Sequence, residues 1–451
     1  VAGKAIPDAG ARRPDATMTI DTLDLVLGGF ALVAALATIA AMGALFWYTR
    51  PRAARPVTFT PPVTILKPLK GLDEHLRENL RSFFTLDYPE YQLLFGVADG
   101  DDAAIPVVES LMAEFPERDA TLVVGNPAFG LNPKIENLAA MYPHRKHDYI
   151  LISDSNVRVR PDYLAETIRP LEDPRVGLVT NVFAGVGERR VGAVLENLQL
   201  NGFIAASLCG AFALRITCVV GKSMLMPARA LAAIGGLASV RNLLAEDQAM
   251  GVKLRKAGFA IRLSPHVIEN VNQDRDLKWF LNRHSRWLKI RYQMALPAFL
   301  LEPVANLTTI GLVWALASGT EVAWLGLASL ALLGMARDAI QTRWLRGTWP
   351  RLAHLPWGLV KDVFMLPIWL DALVSRRISW RGHRFVVGRF TRVRARRVSR
   401  AARRRVRRVR RLRRLNESSG RLRTVRLPRG KLLISAIRRR PSDDARPNDR
   451  R

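Results

Sequence analysis

Two acidic clusters stand directly after short apolar runs. YQLLFGVA (91–98) leads into Asp99, Gly100, Asp101 and Asp102, and DYILIS (148–153) leads into Asp154, Ser155 and Asn156. A third acidic pair, Glu246 and Asp247, follows the apolar stretch LASVRNLLA, and Arg283-His284-Ser285-Arg286-Trp287 comes later. Carboxylates at strand ends suit two tasks: gripping the polar groups of a ribose or base, and holding a divalent metal against phosphates. A carboxylate within hydrogen-bond reach of an alcohol takes its proton during attack. The planar fork of arginine pairs phosphate oxygens. Each piece alone also has a plain structural explanation, as a helix cap, a first-turn acid or a basic aromatic membrane flank. Their order along the chain is what makes them a set.

Positioning such groups requires strands that end in one place. Val63–Pro68 (VTILKP), 91–99, 120–125 and 148–154 read as strands. Helical patterns fall between them at 73–84, 104–115 and 134–141, and Pro161 opens the next. Short buried strands interleaved with amphipathic helices predict an α/β domain with a mostly parallel sheet covered on both faces. Ligands of such sheets bind beyond the carboxyl ends of the strands. This domain is expected over residues 60–292.

Apolar segments flank it. Residues 25–48 carry no charge, exceed the roughly 20 residues a bilayer needs, and end in Phe46, Trp47 and Tyr48 before Arg50, Arg52 and Arg55. They predict a retained transmembrane anchor whose basic flank keeps the following domain in the cytoplasm. Residues 1–24 read as an N-terminal extension, with Met18 a candidate natural start. Residues 295–375 read as a second membrane region. In it 296–318 and 322–336 form a helical hairpin, with Glu302 at the interface. The stretch 355–374 carries Lys361, Asp362 and Asp371, and charges inside a span are costly. This stretch is therefore expected along the cytoplasmic interface, anchored by Trp357 and Trp369.

The composition is that of a folded protein with an appendage. The chain has 451 residues, 49% hydrophobic, and a formal charge of +30. Residues 389–451 hold 25 Arg and one Lys against four acids, so +22 of that charge is local. This Arg-rich tail predicts either a disordered segment or a basic amphipathic helix on anionic lipid. It lacks the interleaved aromatics of a base-stacking surface, so no specific nucleic-acid partner is expected. Two cysteines, Cys209 and Cys218, exclude a disulfide scaffold and a cysteine-rich zinc module.

Several spaced motifs carry a resemblance. LKPLKG (66–71), LDYPEYQ (86–92), DGDD (99–102), GLNPKIENL (130–138), SDSNVRV (153–159), AED (245–247) and RHSRW (283–287) are similar, in this order, to those of the membrane-bound glycosyltransferases with the A-type nucleotide-diphospho-sugar fold. Among these the ceramide glucosyltransferases are the closer match. ISWRGHRF (378–385) resembles the short closing motif of such enzymes. The resemblance implies an integral membrane enzyme with an inverting mechanism, a UDP-sugar donor (UDP-glucose) and a lipid acceptor (ceramide). It implies Mg²⁺ or Mn²⁺ held by Asp154, and Asp102 as the uridine-binding acid with Asp99 and Asp101 nearby. Lys134 would act as a phosphate point charge, and Arg283 and Arg286 would lie near the diphosphate. Trp287 would sit at the acceptor mouth and Asp247 would be the general base. Asp154-Ser155-Asn156 lacks the second Asp of a full D-x-D, and 201–215 resembles the family only loosely, in the region where lipid recognition is expected. A hopanoid or diacylglycerol acceptor, a polysaccharide synthase and a nucleic-acid-binding membrane protein stand as alternatives.

Overall fold

The computed structural model describes residues 21–51, 58–380 and 383–395. The expectations for residues 1–20 and for the tail beyond 395 lie outside the described residues.

Strands form where short apolar runs are bounded by turn residues. They are β1 (Val63–Pro68), β2 (Tyr91–Val97), β3 (Ala120–Val124), β4 (Tyr149–Ser153), β5 (Val157–Arg158), β6 (Val176–Val186), β7 (Ser223–Pro227) and β8 (Ala260–Val271). They make one sheet in the order β3-β2-β1-β4-β7-β6-β8-β5. β7 and β5 run against the other six, so the sheet is mostly parallel, as expected. Every residue of β1, β2 and β7 is buried, which requires cover on both faces. Alternation supplies it: Ile65, Leu93 and Leu151 join Phe83 and Phe84 on one face. Leu66, Leu94, Ile150 and Ile152 join Ile135 and Leu138 on the other.

The helices are α1 (Thr22–Thr49), α2 (Leu76–Phe84), α3 (Ile105–Glu114), α4 (Pro133–Met141), α5 (Tyr163–Ile168), α6 (Val191–Gln199), α7 (Ala205–Ala213), α8 (Ala228–Ala233) and α9 (Glu246–Lys256). After the sheet come α10 (Leu277–Met294), α11 (Leu296–Ala305), α12 (Leu307–Ser318), α13 (Glu321–Arg346) and α14 (Trp357–Val374). A π-helical turn, Leu200–Ile204, joins α6 to α7.

α1 and α13 are each long and apolar enough to cross a membrane, and α11 with α12 makes a third candidate if the bent pair is one span. The first arm of the expected hairpin is thus not one helix. It breaks at Asn306 with a bend of 61°, because Pro303 lies inside α11 and Asn306 caps α12 through the Thr309 N–H. α12 then turns into α13 through Gly319, whose φ of 69° suits a residue without Cβ. Asp24, at the start of α1, accepts from Trp314 Nε1 (2.8 Å), Ser318 and Thr320 (2.9 Å) at that turn. Phe46, near the end of α1, meets Trp344, near the end of α13, at 5.1 Å. α1 and α13 therefore run in one direction and α12 in the other.

The charges of the third apolar stretch are all partnered. Lys361 lies 3.2 Å from Asp338 of α13, and Asp362 3.7 Å from Arg337. Asp371 takes Lys289 (2.8 Å) and Ser285 (2.9 Å) of α10. α14 is thus wedged between the membrane helices and the catalytic domain. Trp369, expected as an interfacial anchor, stacks on Phe299 and donates to its carbonyl (2.8 Å). Glu302, expected at the interface, is buried and paired with Arg291.

β9 (Arg377–Trp380), β10 (His383–Val387) and β11 (Val393–Ala395) form a small antiparallel sheet. Residues 389–395 were assigned to the basic tail by their arginines, but they belong to this folded unit. The Leu244 N–H donates to Thr391 O (2.9 Å), and the Ala245 N–H to Thr391 Oγ1 (3.3 Å). The segment around Thr391 thereby straps the loop that precedes Glu246 and Asp247. Thr391 holds a φ of 56°, a β-branched residue in the left-handed region, at a cost of about 1–3 kcal/mol that its contacts must offset.

Candidate active site

Asp154, Lys134, Glu246 and Asp247 meet beyond the carboxyl ends of β1 and β4. Three local structures bring them there. Asp154 follows β4 directly. Lys134 sits in the first turn of α4, whose start is fixed by Asn132 accepting from the Lys134 and Ile135 N–H groups and by Pro133 at the first helical position. Glu246 and Asp247 open α9, where the helix dipole favours anions. Asn132 also ties two of these pieces together, since its amide donates to Glu246 Oε2 (3.0 Å) and Leu243 O (2.7 Å).

Lys134 is the hub. Its ammonium lies 2.8 Å from Asp154 Oδ1 and 3.4 Å from Glu246 Oε1, and it donates to Gly221 O (3.1 Å). Burial alone would lower its proton affinity. The three acids Asp154, Glu246 and Asp247 outweigh burial and hold it protonated above the usual lysine range. Asp247 accepts from the Gly221 N–H (2.7 Å) through Oδ2 and from the Gln248 N–H (2.8 Å) through Oδ1. Burial raises its carboxyl above the ordinary aspartate range against the pull of Lys134 and those N–H groups. Glu246 is raised too, by burial and then by Asp247, against Lys134. Gly221 must stay small: a Cβ there would meet Lys134 Nζ at 2.9 Å and Asp247 Oδ2 at 3.0 Å.

Two further lysines complete the cluster, and sequence reading passed over both. Lys222 lies 3.3 Å from Asp154 Oδ2 and donates to Asn156 Oδ1 (2.8 Å). Burial, then Arg283 and Lys134, push it down to about 8, with Asp154 opposing. Lys67, fully buried in β1, donates to the Asp154 carbonyl (2.6 Å) and to Ser153 Oγ (3.2 Å), and its ammonium sits 3.7 Å from the centre of the Phe83 ring. Burial, with Lys222 and Lys134, lowers it well below the ordinary value. A lysine inside an otherwise apolar buried strand was the available signal for Lys67. Lys222 carried none beyond its place just before β7.

The other expected residues divide. Asp102 accepts from the Gly71 N–H (2.8 and 3.1 Å) and the Ala104 N–H (2.9 Å), so its carboxylate braces the loop after β1. Asp99 and Asp101 are exposed. Arg283 is buried and pairs with Glu196 Oε1 (2.9 Å), and His284 lies 2.8 Å from Oε2. Burial would raise the Glu196 carboxyl, but Arg283 and His284 hold it below the ordinary value. Glu196 was not anticipated; it neutralises an arginine expected beside the diphosphate. Arg283 also faces Trp287 (4.5 Å) and Trp279 (5.0 Å). Arg286 lies 6.0 Å from the Trp380 ring of the closing motif.

The oxygen donors beside Asp154 suit a divalent cation of the hard kind. Mg²⁺ is ordinarily held by one or two carboxylates, with phosphates and water filling its shell. The Asp154 carboxylate and the Asn156 amide oxygen supply that partial set, with Lys134 and Lys222 as their partners here. Among the described residues no three His, Cys, Asp or Glu side chains gather as an all-protein metal cage.

A sheet of this order, with acids and lysines gathered at its carboxyl edge, defines a nucleotide-sugar glycosyltransferase domain of the A type. The profile of glycosyl transferase family 21 matches residues 29–393, and the chain belongs to that family. It is 31% identical to ceramide glucosyltransferase 3 of Caenorhabditis elegans, over 68% of this chain and 67% of that protein. With ceramide glucosyltransferase 1 of the same organism it shares 31% identity over 56% of this chain and 55% of the relative, so it spans just over half of that protein. The ceramide glucosyltransferase of Komagataella phaffii is 27% identical, over 72% of this chain and 82% of that one. Among solved structures, a mannosyltransferase from Pyrobaculum calidifontis in complex with GDP-Man and Mn²⁺ aligns with a TM-score of 0.45 at 18% identity, over 78% of this chain and 98% of that one.

Proposed function

We propose that this enzyme transfers glucose from UDP-glucose to the primary hydroxyl of ceramide with inversion at the anomeric carbon. The observation that carries the chemistry is Asp247, a half-buried carboxylate whose pKa desolvation raises above the ordinary aspartate value, set beside the Lys134–Asp154 pair. Asp247 takes the proton as the hydroxyl oxygen attacks. The new bond forms at the anomeric carbon while its bond to the diphosphate oxygen breaks, and UDP leaves with the electron pair. One displacement needs one carboxylate on the acceptor side, and Glu246 is engaged by Asn132 and Lys134. Lys134 and Lys222 are the cations at hand for the diphosphate. Asp102 holds the loop that would border the uridine. The acceptor rests on the names of the relatives.

A divalent ion on Asp154 would supply charge neutralisation for the leaving diphosphate. Purified enzyme with UDP-glucose and ceramide is expected to release UDP and form glucosylceramide, to stop with chelator, and to resume with Mg²⁺ or Mn²⁺. Equal turnover of diacylglycerol or a hopanoid would displace ceramide. Activity that survives exhaustive chelation would leave Asp154 to the lysines alone.

We infer a cytoplasmic catalytic domain. Arg50, at the end of α1, and Arg343 and Arg346, in the last turn of α13, mark the same end of the helix group. With Cys209 and Cys218 removed, a cysteine placed at Ser418 is expected to resist a membrane-impermeant thiol reagent in intact cells. Ready labelling would put the chain's end outside.

A further inference from the structure

The helix that carries Glu246 and Asp247 starts without a side-chain cap. Ala245 stands at the capping position, where a side-chain oxygen would ordinarily fix the first turn, and it offers none. Residues 241–245 are held from outside instead, on two sides. One side is the segment that leads into Lys134. The Leu131 and Asn132 N–H groups donate to Arg241 O (3.1 and 3.0 Å). The Leu131 N–H also reaches Asn242 Oδ1 (2.9 Å), and the Asn132 amide donates to Leu243 O (2.7 Å). The other side is the turn between β10 and β11. Thr391 takes the Leu244 N–H on its carbonyl and the Ala245 N–H on its hydroxyl, and the Val393 N–H donates to Asn242 O (2.8 Å).

That turn holds an unfavourable backbone to do so. Phe390 and Thr391 are consecutive residues other than glycine at φ 53° and 56°, in the left-handed region. Packing does not ask for this. The small sheet has its own apolar contacts, with Ile378, Phe385, Val387 and Val393 gathered around Leu244 and against Ile290 of α10. Neither left-handed residue belongs to that cluster, and Phe390 is 71% exposed. What the left-handed pair achieves is the placement of Thr391, fully buried with its carbonyl and its hydroxyl both on the acid loop. Backbone strain persists only where the surroundings over-determine it, and it gathers at functional sites.

We propose that Thr391 is a positioning residue of the active site. Through the Leu244 and Ala245 N–H groups it fixes the start of α9, and so aims the Asp247 carboxylate at the acceptor hydroxyl. The proposal rests on the reading of Asp247 as the base. Asp247 lies two residues after Ala245, and its oxygens already accept from the Gly221 and Gln248 N–H groups (2.7 and 2.8 Å), so its direction follows the first turn of α9. A shift at Ala245 is passed on to it, and a misplacement of about 1 Å can cost about 100-fold in rate.

The test compares variants of the full chain in phosphatidylcholine nanodiscs, with UDP-glucose and ceramide as substrates. Thr391→Val removes the hydroxyl and keeps the branched shape. It should lower kcat about tenfold, a partial misplacement, with the KM for UDP-glucose unchanged. Thr391→Ser, which keeps the hydroxyl, should stay close to the parent. Thr391→Ala makes the same comparison if Thr391→Val does not fold. The double variant separates aiming from general support. In an Asp247→Asn background, Thr391→Val should slow the enzyme no further, because the group it aims is gone and residues that act as a unit are not additive. Loosening of the fold would slow both backgrounds alike. An unchanged kcat in the folded variants, a loss that Thr391→Ser shares, or a loss that repeats in the Asp247→Asn background would overturn the assignment. If Asp247→Asn is slow and Thr391→Val is not, this inference alone falls. If Asp247→Asn turns over at the parent rate, the catalytic reading falls and takes this inference with it.

Discussion

Replacing Asp247 with asparagine is expected to lower glucose transfer by about 100-fold or more, the usual contribution of a positioned general base. The amide keeps the shape, and with its oxygen toward the Gly221 N–H it gives up only the bond from the Gln248 N–H, so α9 should stay docked. UDP-glucose binding, measured by calorimetry, should survive. The pH profile separates a base from a merely structural acid. Burial raises the Asp247 carboxyl, so in the parent the rate should fall with acidification at a pH above the ordinary aspartate value of about 3.9. The asparagine variant should lose that acidic limb. An unchanged rate, or a variant that retains the limb, would take the proton away from Asp247.

Lys134→Met should be the most damaging single change to the fold of the site. Lys134 is the shared counter-ion of Asp154 and Glu246. Deleting one partner of a fully buried ion pair costs about 3–5 kcal/mol because the remaining charge stays desolvated, and the partial exposure of Lys134 and Asp154 puts the loss here below that range. The orphaned acids can recover some of this only by binding protons. Their folded-state affinity for protons would then exceed that of the unfolded chain, so the variant's stability is lost as pH rises through those raised values. The deficit in thermal midpoint relative to the parent should therefore be smaller at about pH 5 than at about pH 8. A deficit independent of pH would mean that the acids stay charged, with Lys222 as their counter-ion.

The parallel half of the sheet was legible because its signals are local. β1 to β4 are short apolar runs closed by Pro, Gly or Asp, and each forms within two residues of its expected bounds. Asp154 and the Glu246–Asp247 pair stood out for the same reason, as polar residues at element ends, whereas Lys134 was singled out only by the resemblance of GLNPKIENL. Lys222 and Glu196 were missed because their importance is set by distant partners. Glu196 reads as one more polar residue of a helix until Arg283 and His284, nearly ninety positions later, close on it. The partners of the α14 charges were hidden for a related reason. Lys361 and Asp362 look too costly for a packed apolar helix until Arg337 and Asp338 are set against them. The break at Asn306 was signalled by Pro303, yet an apolar run gives no sign of how far it bends.

The strap on the acid loop has a consequence for synthesis. The Ala245 N–H finds its acceptor 146 residues further along the chain, beyond every helix described here. While the ribosome is still making those helices, the loop before Glu246 lacks Thr391, and the hydrogen bonds that fix it cannot form. A nascent domain with its sheet already built thus holds an unfinished acid loop until the helices after it have emerged. Completion of the site follows translation of the membrane anchor region, so the loop reaches its final form in a chain that already has its means of reaching the lipid surface.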